Sequence, residues 1–142
     1  MTTSEENKAL VRRYQAAYNT NQLDDLDPVV AADIQTPAML PGFPPGLEGI
    51  KQLHRMTVDA WPDVHVTIED LIAEGDRVAA RVTVSATPQK EAFGVRPTGK
   101  SFRISGLYIV RIKDGKIAEH HGVEDALGIA QQLGLMPAPG SA

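Results

Sequence analysis

Between Asp63 and Glu124 the apolar residues recur at every second position, and a period of two is the signature of strands, not helices. Val64, Val66 and Ile68 alternate with polar neighbours; Leu71–Ile72 then shifts the phase, which predicts a β-bulge. Gly75–Asp76 reads as a turn, and Val78, Ala80, Val82 and Val84 resume the alternation. PQKEAFGVRPTGK is a long excursion between two strands. Phe102, Ile104, Gly106, Tyr108, Val110 and Ile112 then share one face of a long strand. Leu107 and Ile109 on its opposite face are also apolar, so both faces are expected to be covered. Asp114–Gly115 carries the signal of a type I′ hairpin turn, and the last strand starts at Lys116.

Ahead of this run the period is helical. Thr3 and Glu6 stand at capping-box spacing, where the hydroxyl accepts from the first turn and the carboxylate reaches back. Leu10, Val11, Tyr14, Ala17 and Tyr18 follow at helical intervals to about Asn19. LDDLDPVVA is read as a second, shorter helix. From Thr36 to Gly49, four prolines and three glycines forbid regular structure, yet Met39, Leu40 and Phe43 are apolar, so this loop is expected to cover something. A third helix is predicted from Leu47 through Ile50, Leu53, Met56 and Ala60, with Trp61 at its end and Pro62 as its stop. A last short helix begins near Asp125 and ends at Gly134 and Pro137. Helices segregated from antiparallel strands predict an α+β fold: a curved sheet wrapped around the N-terminal helices as a cone with one mouth. A single domain over 1–142 is expected, with its core over about 6–136 and a frayed tail at 137–142.

The chain of 142 residues can bury roughly 70% of its unfolded surface, enough for a core without staples. It has no cysteine, which removes disulfides, zinc–thiolate sites, iron–sulfur clusters and thiol nucleophiles. A net charge of −4 with scattered lysines and arginines argues against nucleic acid as a partner. No apolar run approaches a membrane span, and MTTSEENKAL lacks the cationic and apolar regions of a signal peptide, so a cytoplasmic protein is expected.

The chemistry concentrates in GKIAEHHGVEDALG. Strand parity separates Ile117, Glu119, His121, Val123 and Asp125 from Ala118, His120, Gly122 and Glu124. The first set is the more apolar and is placed on the concave side, which brings His121 and Asp125 into one pocket and turns His120 and Glu124 outward. Two readings of Asp125 stand side by side: an acid/base group in the pocket, or the N-cap of the last helix. His121 is likewise either a pocket donor or a core histidine satisfied by a hydroxyl or carbonyl. A metal site would need three convergent ligands, and the remaining histidines, His54 and His65, show no such convergence, so none is expected. Tyr14 and Tyr18 lie one helical turn apart, as core aromatics or as hydroxyls for an oxyanion. Arg77, Arg81, Arg103 and Arg111 fall on the other parity and belong to the outer face or to a dimer contact.

WPDVHVTIEDLIAEGDRVAARVTVSAT followed by FGVRPTGKSFRISGLYIVRIKDGKIAEHHGVEDALGIAQQLG resembles the SnoaL-like polyketide cyclase and ester cyclase family, within the nuclear transport factor 2-like superfamily. The resemblance runs from about Glu6 to Met136 and is carried jointly by PTGK, DGKI and the closing D-x-L-G-x-x-x-Q-L-G. It implies a cone, often dimeric, with a hydrophobic pocket and no cofactor. It also implies that the aspartate at the strand-to-helix junction, here Asp125, is the acid/base for an intramolecular aldol closure. Ketosteroid isomerases, also cones, match Tyr14 by a tyrosine of the first helix and Tyr108 by a pocket acid. The chain departs from the ester cyclase pattern in three places: EHH stands for EHW, so His121 replaces a tryptophan; IQTPAM lacks the usual histidine and asparagine; SATPQK stands for GTH.

The expectation is a cofactor-independent cyclase acting through Asp125 and His121, with Tyr14, Tyr18, Met39, Phe43, His54, Trp61 and Tyr108 around a small hydrophobic or polyketide-like ligand. A homodimer through the outer face of the sheet is expected with it. Two alternatives stay open: an isomerase or epoxide hydrolase on the same cone, and a binder of an apolar ligand with no chemistry.

Overall fold

The structure is a computed structural model and describes residues 2–36 and 41–137. Its elements are α1 (Ser4–Asn19), a 3₁₀ turn (Leu23–Leu26), β1 (Val30–Gln35), α2 (Gly46–Ala60), β2 (His65–Glu74), β3 (Arg77–Ala86), β4 (Phe102–Lys113), β5 (Lys116–Glu124) and α3 (Ala126–Gln132). The five strands form one curved, unclosed sheet in the order β1-β5-β4-β3-β2, the α+β cone read from the sequence. β2 to β5 are antiparallel neighbours, and β1 joins β5 in parallel. α1 lies against β2 and β3, and α2 against β1.

The local chemistry explains the starts and stops. The Thr3 hydroxyl accepts from the Glu6 amide and the Glu6 carboxylate accepts from the Thr3 amide, completing the capping box. Asp114 and Gly115 both take positive φ, 51° and 75°, as a type I′ turn requires. Gly46, at φ 77°, opens α2 under the β1 backbone; a Cβ there would stand 2.3 Å from the Ala32 carbonyl oxygen, so only glycine lets helix and strand approach so closely. A bulge is present in β2, but ahead of the expected Leu71–Ile72, as a register shift between Ile68 and Asp70.

The core is the concave face of the sheet packed on α1. Val78, Ala80, Val82, Tyr108, Val110 and Ile117 point inward and are buried, together with Leu10, Val11, Tyr14 and Ala17 from α1. Full burial of each aliphatic side chain contributes about 1.5–3 kcal/mol. The alternate positions carry Arg77, Arg81, Arg103 and Arg111 on the convex face, as their parity predicts.

One element differs from the sequence reading. LDDLDPVVA is not a helix: only Leu23–Leu26 turns, as 3₁₀, and Val30 opens β1. β1 hides because its pairing slips between Val30 and Gln35, which erases the alternation that marks a strand. No helix among the described residues is long and apolar enough to cross a membrane. The expected tail lies almost wholly outside the described residues, as do Met39 and Leu40.

Candidate active site

Polar side chains enter the cone where β4 and β5 face α1. Their placement turns on one irregularity. Ile117 pairs with Ile112, but Glu119 pairs with Arg111, so β5 carries Ala118 as an extra residue. That bulge puts everything after it one step out of phase. His120 pairs with the inward Val110, Gly122 with Tyr108 and Glu124 with Gly106. His121 and Val123 pair with Ile109 and Leu107, which are 40% and 46% exposed on the convex face.

The parity expected from Ile117 and Val123 is therefore reversed. Val123 is 70% exposed, and His121 is exposed on the outer face beside Arg77, Arg111 and Glu119. His121 does not share a pocket with Asp125. His120, read as outward, is the histidine of the concave side. A strand read as regular across a hidden bulge inverts every later residue, and neither Ala118 nor its neighbours announce the bulge in sequence.

His120 stacks on Tyr108 with ring centroids 4.8 Å apart and lies 5.9 Å from the ring of Tyr14. Tyr14 meets Tyr108 edge-on at 6.3 Å. Gly122 makes room for the stack, since a Cβ there would come within 3.3 Å of both His120 Cε1 and Tyr108 Cβ. Burial lowers the His120 pKa to about 4, so its imidazole is neutral near pH 7. The Tyr108 hydroxyl donates to Gln15 Oε1 at 3.1 Å inside the core. Gln15 was not among the expected site residues, although it continues the helical spacing of Val11 and Tyr18. Burial pushes Tyr14 up to about 12 and raises Tyr18 and Tyr108 as well, so all three stay protonated donors.

Tyr18 meets His54 of α2, with ring centroids 4.2 Å apart. His54 is 2% exposed, and neither ring nitrogen has a hydrogen-bond partner among the described residues. Burial, and then the charge of Arg55, lower its pKa. Glu124 lies on the same side of the sheet: a Cβ on Gly106 would stand 3.5 Å from Glu124 Cγ and 3.2 Å from a Val82 methyl. Water reaches Glu124, yet the protein around its carboxyl raises its pKa, and its charge in turn raises that of Tyr18. Such a carboxyl keeps its proton to higher pH than a fully solvated one.

Asp125 has another position. It is the N-cap of α3, exposed, and its Oδ1 accepts from the Gly128 amide at 2.8 Å. A Cβ on Gly128 would strike that carboxylate, so the cap and its glycine fit together. Trp61 caps α2 and packs edge-on against Phe93 and Phe102, both at 5.3 Å, instead of joining the tyrosines. Phe43 is half-buried just ahead of α2, and Met39 lies outside the described residues. Among the described residues, no three His, Cys, Asp or Glu side chains cluster as metal ligands would.

Similarity to known proteins agrees with this architecture. The chain is 30% identical over 135 residues to the aklanonic acid methyl ester cyclase AcmA of Streptomyces galilaeus, covering 91% of each. It is 30% identical over 122 residues to the nogalonic acid methyl ester cyclase of Streptomyces nogalater, covering 84% of this chain and 90% of that one. The structure of TsrD from Streptomyces laurentii superposes with a TM-score of 0.87 at 29% identity, over 96% of this chain and all of that one. The family model for SnoaL-like polyketide cyclase matches residues 8–133. The chain belongs to the SnoaL-like polyketide cyclase family.

Proposed function

We propose that this protein closes a ring in a polyketide ester by a cofactor-independent aldol reaction, with Glu124 as the acid/base. Its relatives include cyclases of aklanonic and nogalonic acid methyl esters, which supports such an ester as the substrate class. The observation that carries the assignment is Glu124 itself: a carboxyl on the concave side, open to water yet with its pKa raised by the protein around it. As carboxylate it removes the proton between two carbonyls. The electron pair moves onto oxygen as an enolate, which a protonated Tyr14 or Tyr18 stabilises. The enolate carbon attacks a ketone carbon of the same molecule, and the proton on Glu124 returns to the new alkoxide. Holding the chain folded supplies the proximity the reaction needs.

Asp125 is the competing carboxyl. Assayed on nogalonic acid methyl ester, Glu124→Gln should lower kcat by about 10²–10⁴-fold, the usual contribution of general acid–base catalysis. Asp125→Asn should stay within a few-fold of the parent. The reverse result assigns the role to Asp125. A parent protein that binds the ester without converting it is a binder only.

The same reading includes a second copy of the chain over the convex face and a cytoplasmic setting. Ile72, Leu107, Ile109 and Val123 are apolar and exposed there, and a self-complementary patch of this kind suits a two-fold dimer. Light scattering should give twice the mass of one chain, and Leu107→Asp should halve it. A monomeric parent refutes the dimer.

A further inference from the structure

The two bare nitrogens of His54 are unlike anything else polar on α2. Thr57, one turn on, satisfies its hydroxyl on the Leu53 carbonyl at 2.8 Å. His54 is more buried still, yet neither Nδ1 nor Nε2 has a partner among the described residues. A buried imidazole left this way is destabilising, because it has lost water and gained nothing. Packing does not require it, since a phenylalanine would make the same contact with Tyr18.

The ring also lies against α1. It touches Tyr18, and the charge of Glu124 is felt at Tyr18, so His54 and the proposed acid/base border one region of the cone. We propose that His54 is a specificity-determining residue of the cone, its imidazole N–H donating to a carbonyl oxygen of the bound ligand. This rests on the polyketide reading above, whose substrates carry such oxygens along their length. The lowered pKa of the ring is consistent with it: a neutral imidazole offers one donor and one acceptor, suited to a ketone or its enol. Loss of one such bond inside a protein corresponds to about tenfold in affinity.

The test uses 9,10-anthraquinone and anthracene, which share a shape and differ by two carbonyl oxygens. Titration calorimetry on the parent protein should give a dissociation constant about tenfold lower for the quinone. In His54→Phe that preference should vanish with anthracene binding unchanged, and the ligand-free variant should melt no lower than the parent. A preference that survives in His54→Phe overturns the proposal. So does a lower melting temperature with the preference intact, because the nitrogens would then be satisfied within the protein. Should the variant fail to fold, ¹⁵N spectra of the parent imidazoles decide: the quinone must shift the His54 signals and anthracene must not. The two readings fail separately. A parent that binds the quinone through His54 but turns over no ester loses the catalytic reading and keeps this one. A parent that binds neither probe overturns this proposal and leaves the catalytic reading to the ester assay.

Discussion

His120 and His121 are consecutive in the chain and live in different solvents. One is stacked on Tyr108 inside the cone with its pKa lowered to about 4; the other is exposed among arginines on the convex face. The same division runs along β3 and β4. Val78, Val110 and Phe102 are at most 2% exposed, while Arg77, Leu107 and Ile109 on the opposite face meet water. One sheet thus carries an interior that sets stability and proton affinity, and an exterior free to meet a partner. The chemistry of a residue here depends less on its type than on which side of a single strand it occupies.

Large-to-small substitutions on the two faces give the widest contrast. Phe102→Ala removes a fully buried ring and should cost about 3–5 kcal/mol in urea unfolding. Leu107→Ala should cost less than about 0.5 kcal/mol in an isolated chain. A larger loss at Leu107 that grows with protein concentration would show that the convex face is covered by a second copy.

The histidines give the next contrast, in pH. The unfolded chain protonates its histidines near pH 6.5, but the folded chain holds His120 neutral down to about 4. The unfolded state therefore binds the proton first. This contribution to stability is complete above about pH 6.5 and disappears as pH falls toward 4, by at most about 3 kcal/mol. His54 acts in the same direction, and Glu124, with its raised pKa, acts against both. Unfolding curves for the parent and His120→Phe at pH 7, 5.5 and 4.5 should converge or cross as the pH drops. Parallel curves would mean that His120 is as solvated as an exterior histidine.

The smallest effect belongs to the cap at the boundary between the faces. Asp125→Ala should destabilise by about 0.5–2 kcal/mol through loss of the bond from the Gly128 amide. Asp125→Asn, which can still cap, should lose little. If turnover falls in both while stability falls only in the first, Asp125 acts in chemistry as well.

Much of this division was legible before the structure, and where it was not, the reason is local. Period-two alternation in β3 and β4 named the buried face residue by residue, because those strands pair without a slip from Arg77 to Ala86. The Thr3–Glu6 cap and the Asp114–Gly115 turn were readable because each follows from side-chain chemistry within a few residues. β5 was misread because parity was carried across Ala118 from Ile117, and a bulge is decided by the partner strand, not by the residue that bulges. β1 was missed for the same kind of reason. Its irregular pairing is set by β5, far along the chain. Tyr14, Tyr18, His54 and Tyr108 were identified from sequence and do lie among the polar groups of the cone, whereas Glu124 and His120 needed the register.

The parallel seam between β1 and β5 has a consequence for how the molecule comes to exist. It joins Val30 to Ile117, partners far apart in the chain, while each antiparallel pair joins strands that follow one another. Loop-closure entropy makes such a contact slow to form. The hairpins of β2, β3, β4 and β5 should assemble first, with the seam closing last. The shelter around His120 needs a contact of the same long range, between Tyr14 of α1 and His120 of β5. The loss of a histidine proton in refolding at pH 5.5 should then coincide with the slowest phase, marking the moment the cone acquires an inside.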